Sequence, residues 1–398
     1  MKVPKLRFKE FTDQWQTKTL GEVFEILSGT TPSRAILGYF GGEFNWVKTT
    51  DLNNSLINDT QEKVTDRALS ETSLRVLPKG TVLIAMYGGF NQIGRTGLLT
   101  RNAAINQALS ALLPKLELVH PYFLLNYLNY RVDDWKSFAA SSRKDPNITK
   151  NDVKNFTFIF PTLNEQTKIA NFLTAIDEKI AQLTQKCDLL AQYKKGVMQQ
   201  IFSQKLRFKD DDGREFPEWK IKFGNEVFDS VSDKNHNSNL PILAISQEYG
   251  AIPREMIDYN ISVTDQSIEN YKVVQVGDFI ISLRSFQGGI EYSAYKGICS
   301  PAYIILRPSI EINKIFFMFY MKTESFIKEL NRNIEGIRDG KLISYKYFSE
   351  IPLPFPSLPE QTKIANFLTA IDNKITQAQT QLEAVKRYKK GLLQQMFV

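Results

Sequence analysis

The chain carries one passage twice, and this duplication limits its fold more than any other feature. FPTLNEQTKIANFLTAID at residues 160–177 returns as FPSLPEQTKIANFLTAID at 355–372, an offset of 195 residues in which 165–177 is matched without a change. Across residues 160–202, 26 of 43 positions are identical in the second copy. The match extends outside this block: KLRFK at 5–9 recurs at 205–209, and Trp15 with Val23 and Phe24 recurs as Trp219 with Val227 and Phe228. The repeated unit thus begins near residue 1, and the chain is two copies of one domain plan.

Between these blocks the correspondence is faint but keeps its order, as expected of two domains that share a fold and differ in working surface. KGTVLIAM at 79–86 matches VGDFIISL at 276–283, and a glycine-containing loop follows each. INQALSALLP at 105–114 matches CSPAYIILRP at 299–308, and the aromatic stretches YFLLNYL and FFMFYMK follow at 122 and 316. Ile148-Thr149 and Ile343-Ser344 again lie 195 apart. Short β-branched and aromatic runs between turn residues predict strands, and the aromatic stretches predict short helices, so each middle segment reads as α+β.

The repeated blocks are of another kind. Apolar residues run Ile169, Leu173, Ile176, Ile180, Leu183, Cys187, Leu190, Lys194, Val197, Ile201, in alternating steps of four and three. The second copy gives Ile364, Leu368, Ile371, Ile375, Ala378, Leu382, Val385, Lys389, Leu392, Met396, with the same single polar exception. That is a heptad seam, so both blocks are long helices, each roughly 57 Å, that pair along a coiled-coil face. Connectivity sets the direction: the first helix delivers the chain into the second domain, so the second must run back beside it. The expected fold class is α+β, with two pseudo-twofold related α+β domains separated by an antiparallel pair of long coiled-coil helices. The expected segments are 1–159, 160–204, 205–354 and 355–398, with residues 1–9 standing beside the end of the second helix.

Composition excludes several functions. With 398 residues, 42% hydrophobic and 23% charged, the chain can bury sizeable cores. No apolar run exceeds seven residues and the start, MKVPKLRFKEF, has no h-region, so no membrane span or signal peptide is expected and a cytoplasmic location follows. Two cysteines, Cys187 and Cys299, and two histidines, His120 and His236, are too few and too scattered for a disulfide framework or a His/Cys metal cluster. Neither histidine stands near a Cys or Ser nucleophile, and no GxGxxG, N-P-P-Y or D-P-P-Y motif occurs. GFNQIGRT at 89–96 fits the P-loop pattern except that Arg95 replaces the lysine, whose compact charge the phosphates need. The matching loop in copy two keeps none of it, and catalysis is not expected of this chain.

A net charge of +7 favours a polyanion, and the loops fit DNA better than nucleotide. Asn91, Gln92, Arg95 and Arg101 in copy one, with Arg284, Gln287 and Lys296 in copy two, are the residue types that read base edges or neutralise phosphate. Other basic, turn-rich stretches add Arg34, Lys48, Arg143 and Lys144 in the first domain, and Lys234, Arg254, Arg338 and Lys341 in the second. Two diverged domains on a rigid spacer would read two short sequences separated by unread base pairs. The repeated helices would offer equivalent docking surfaces to two copies of a partner, with Glu165, Gln166, Lys168 and Asn171 on one and Glu360, Gln361, Lys363 and Asn366 on the other. A coiled-coil scaffold without DNA specificity is the alternative.

Over its whole length the chain resembles the specificity subunit of type I restriction-modification systems. The resemblance rests on Phe160-Pro161, Glu165-Gln166, Ile169-Ala170 and Ile176-Asp177 with their repeats from Phe355, on SGTTPSR with YFGGEFNWVKTTDLN, and on the twice-used Tyr-Lys-Lys-Gly at 193 and 388. It implies a non-catalytic subunit that binds double-stranded DNA, two methyltransferase subunits and two restriction and translocase subunits. S-adenosylmethionine, ATP and magnesium would then belong to those partners, with no cofactor in this chain. The second domain lacks the TPSR and Trp-Val-Lys segment, so its contacts cannot be copied from the first.

Overall fold

The structure, a computed structural model, describes residues 3–139, 147–236, 239–257, 268–332 and 343–397. The chain packs as two units, 1–184 with 380–398, and 185–379. This differs from a division at 159, 204 and 354, because each long helix, Leu163–Phe202 and Leu358–Met396, gives one half to each unit. The helical halves are part of the domain cores rather than bodies apart from them.

Unit by unit the element order repeats. Strands Gln16–Thr19 and Thr157–Phe160 pair antiparallel in unit one, and Lys220–Phe223 and Pro352–Phe355 do so in unit two. The main sheet of unit one runs Ile26–Ser28, Leu109–Leu112, Val82–Ala85, Thr96–Leu99, Ser55–Ile57, and that of unit two runs Phe228–Val231, Ile304–Pro308, Phe279–Ile281, Glu291–Tyr292. The first four positions correspond, and unit one adds an edge strand parallel to Thr96–Leu99. The faint sequence matches fall on equivalent strands, and the aromatic stretches form the helices Pro121–Tyr130 and Lys314–Tyr320. Even the Ile-Thr and Ile-Ser pair has a structural meaning: Ile148 and Ile343 are buried, and the hydroxyls of Thr149 and Ser344 accept from Asp152 N and Tyr347 N, capping equivalent helices.

Within each unit the two helical halves run antiparallel. In unit one Leu392, Met396 and Phe397 share a core with Ile169, Leu173 and Ile176, and Phe397 packs against Phe123 at 5.4 Å and Tyr127 at 5.8 Å. In unit two the equivalent Phe202 lies 5.5 Å from Phe316 and 5.6 Å from Tyr320, and Val197 and Ile201 share a core with Ile364, Leu368 and Ile371. Leu6 N donates to Gln395 O at 2.9 Å, the counterpart of Leu206 N to Gln200 O at 3.1 Å. Of the segment expected beside the end of the second helix, Leu6 does stand there, and residues 1 and 2 lie outside the described residues.

The polar exception in each seam has a partner. Lys389 Nζ sits 2.7 Å from Asp177 Oδ1, and Lys194 Nζ sits 2.6 Å from Asp372 Oδ1. Each lysine meets the aspartate that closes the invariant block of the opposite helix, a device that fixes register as a polar seam position does in coiled coils. In a double-mutant cycle, Asp177→Ala and Lys389→Ala should couple by ~1 kcal/mol in thermal unfolding. Strict additivity of the two would show that the pair contributes nothing.

Candidate nucleic-acid interface

The glycine loop of unit one is a hairpin connection. Val82–Ala85 and Thr96–Leu99 pair antiparallel, Ile84 opposite Thr96, and Gly88, Gly89 and Gly94 between them hold φ of 114°, 78° and 76°. A P-loop must lead from strand into helix so that its N–H groups face phosphate; this one returns into the same sheet. Gly94 is also fixed by contact, since a Cβ there would come within 2.5 Å of the Trp135 ring. The loop is therefore braced at its base, with Asn91 exposed near its tip and Gln92 and Arg95 half-buried. Arg101 lies exposed beyond the far end of Thr96–Leu99, about 20 Å from Arg95 at strand rise. These two stand at opposite ends of that strand.

A second cluster of unit one is tighter. Strand Phe40–Val47 carries Trp46, and Lys48 follows it; Trp46 N donates to Glu62 O at 3.2 Å, which sets Glu62 alongside. Arg34 Nη1 and Nη2 donate to Glu62 Oε1 and Oε2 at 2.8 and 3.1 Å, and Lys48 Nζ donates to Oε2 at 2.5 Å. The Arg34 guanidinium also lies 4.7 Å over Phe40 and 5.9 Å from Trp46. The two cations hold the Glu62 carboxyl down at about 2 from an ordinary 4.5. Since the folded value is depressed, this attraction is present above pH 4.5 and is lost as pH falls toward 2.

In unit two the corresponding hairpin connection winds into the short helix Ser285–Gly288, and Gly289 closes it at φ 82°. Arg284 and Gln287 are exposed there, and Gln247 Nε2 donates to Arg284 O at 3.1 Å. Burial raises the Tyr303 hydroxyl pKa, and the charges of Arg254 and Arg284 both pull it back. Lys296 is exposed in the next turn and Lys234 is exposed after the first sheet strand. Arg143, Lys144, Arg338 and Lys341 fall outside the described residues.

Four residues expected to face a partner are corrected by the structure. Glu165, Gln166, Glu360 and Gln361 are fully buried. Arg7 grips Glu165 through Nε and Nη2, both at 2.7 Å, and Arg207 grips Glu360 at 3.2 and 2.9 Å. Gln166 donates to Pro161 O at 2.9 Å and Leu118 O at 3.0 Å and accepts from His120 N; Gln361 donates to Pro356 O and accepts from Asn313 N. Their invariance in both copies is structural: they lock the start of each long helix to its own domain. Lys168 and Lys363 pair with Glu10 and Asp211, while Asn171 and Asn366 are exposed. Glu62, an acid among basic loops, is the residue that draws Arg34 and Lys48 together, and the recurrence of KLRFK points to Arg7 and Arg207.

A duplicated α+β unit with braced, basic, divergent hairpins and long helices that share an invariant start defines a two-domain nucleic-acid recognition protein. The family described as Type I restriction modification DNA specificity domain matches twice, over residues 12–191 and 218–387. Among similar proteins, the type I restriction enzyme MjaIX specificity subunit of Methanocaldococcus jannaschii is 21% identical, covering 95% of this chain and 91% of its own. The MjaVIII specificity subunit of the same organism is 24% identical, over 96% and 91%. In fold, the S subunit of a type I restriction-modification system from M. genitalium aligns with a TM-score of 0.59 at 18% identity, over 100% of this chain and 99% of its own. The chain belongs to the type I restriction-modification DNA specificity family and is a non-catalytic DNA sequence-recognition subunit. Among the described residues no helix is long and apolar enough to cross a membrane.

Proposed function

We propose that each domain reads one half of an asymmetric bipartite DNA site and that the paired helices set the number of unread base pairs between the halves. The observation that carries this is the contrast within the duplication: the start of each long helix with its buried clamp repeats without a change over 165–177 and 360–372, while the hairpin connections at 87–95 and 282–290 share a place in the sheet and little chemistry. Identical scaffolds with different tips suit two different target sequences. The scaffold alternative gives no reason for the two connections to present different hydrogen-bonding and basic residues at one place in the sheet.

The repeated helices would dock two methyltransferase subunits, and through them two restriction and translocase subunits, in the cytoplasm. S-adenosylmethionine, ATP and magnesium would be bound by those partners. Docking through the helices now falls to Asn171, Asn366 and their exposed neighbours rather than to the buried Glu-Gln pairs. Arg95→Ala and Arg284→Ala should each weaken specific binding by ~1–3 kcal/mol if the side chain forks onto a base, as read by DNA titration of the complex with the methyltransferase. Unchanged affinity in both would remove the two hairpins from the recognition surface.

A further inference from the structure

The cluster about Glu62 differs from an ordinary surface ion pair. Arg34 is held three ways: by both carboxylate oxygens, over the Phe40 ring, and beside Trp46. Its fork to Glu62 uses one hydrogen on each terminal nitrogen, which leaves the Nε–H and the neighbouring Nη–H as a second, intact fork. The side chain is nevertheless 60% exposed. A long, flexible side chain is thus held by three contacts while much of it stays open to solvent, and no hydrogen bond among the described residues takes up the second donor pair. That pair matches the O6 and N7 acceptors of guanine in the major groove.

A cation meant for phosphate needs none of this, because phosphate contacts tolerate a mobile point charge. A carboxylate beside it would in fact repel the DNA backbone. Glu62 also ties up Lys48 at 2.5 Å, so the same carboxylate neutralises two cations that could otherwise bind any sequence. We infer that Arg34 is a pre-oriented guanine reader of the first domain and that Glu62 is its positioning residue, which in addition withholds Arg34 and Lys48 from non-specific phosphate binding. This rests on the proposal that the first domain reads one half-site.

The test uses the full chain in complex with its methyltransferase, with modified adenines mapped for the wild type, Arg34→Lys, Arg34→Ala and Glu62→Gln, and with binding to unrelated duplex measured against salt. Arg34→Lys keeps the charge and loses the fork, so one G·C position of the first half-site should become degenerate while the second half-site stays intact and serves as the folding control. Glu62→Gln should relax the same position and steepen the salt dependence on unrelated DNA by about 1–2 in log–log slope, as the freed cations find phosphates. An unchanged motif and rate for Arg34→Ala would overturn the inference. So would a uniform loss across sequences with the slope shallower by about 1, the signature of a phosphate contact. A wild-type complex with no bipartite motif would instead sink the half-site proposal itself.

Discussion

Glu165→Ala should lower the unfolding temperature of the first unit by roughly 6–12 °C, the shift that ~3 kcal/mol produces in a unit of about 200 residues. The carboxylate is fully buried and accepts two hydrogen bonds from Arg7, whose Nη2 also donates to Asp13 O at 2.6 Å. Removing it strands a guanidinium with only 14% of its side chain exposed and unfastens the segment before the first strand from the start of the long helix. Arg7 keeps some access to water, which places the cost at the low end for a broken buried pair. Glu360→Ala should do the same to the second unit, where Arg207 is the stranded partner. The measurement is calorimetric unfolding of the full chain, in which each substitution should move one transition and leave the other. A wild-type thermogram for Glu165→Ala would mean that the repeated Glu-Gln pair serves a partner after all.

The second large effect concerns spacing. Deleting one heptad from each long helix, 182–188 and 377–383, keeps every seam position in phase and both Lys–Asp pairs intact. It shortens the paired helices by ~10 Å, close to the rise of three base pairs. Methylation at the original gap should fall on the order of 100-fold or more, since one half-site can no longer be engaged in register. Any motif that survives should keep both half-sequences with a gap about three base pairs shorter. Retention of the original gap would show that helix length does not measure the spacer.

Most of the architecture was legible because the chain is its own alignment. Two copies of a heptad seam give two helices, and chain continuity leaves them no orientation but antiparallel, as Phe397 on Phe123 and Phe202 on Phe316 bear out. The strands were legible wherever a buried run was bounded by turns, as at 82–85 and 279–281. What sequence could not separate was invariance for packing from invariance for docking. Glu165 and Gln166 are charged and polar, so they read as surface residues; only the fold reveals an arginine from the N-terminal segment and three backbone groups from two loops converging on them. The Lys194 and Lys389 exceptions were visible as anomalies, but their aspartate partners lie about 180 and 210 residues away in the chain. Glu62 stayed hidden for a related reason: a carboxylate that orients a basic reader looks, in sequence, like the opposite of a DNA contact.

Everything proposed for the two domains requires that this chain specify an asymmetric bipartite target. The direct measurement is co-expression with its methyltransferase in an unmodified host, followed by single-molecule sequencing of modified adenines with and without this chain. One motif of two unlike half-sequences at a fixed gap is expected, lost entirely when the chain is omitted. Methylation that is undivided, or that is indifferent to the chain while the two proteins form a stable complex, would contradict it.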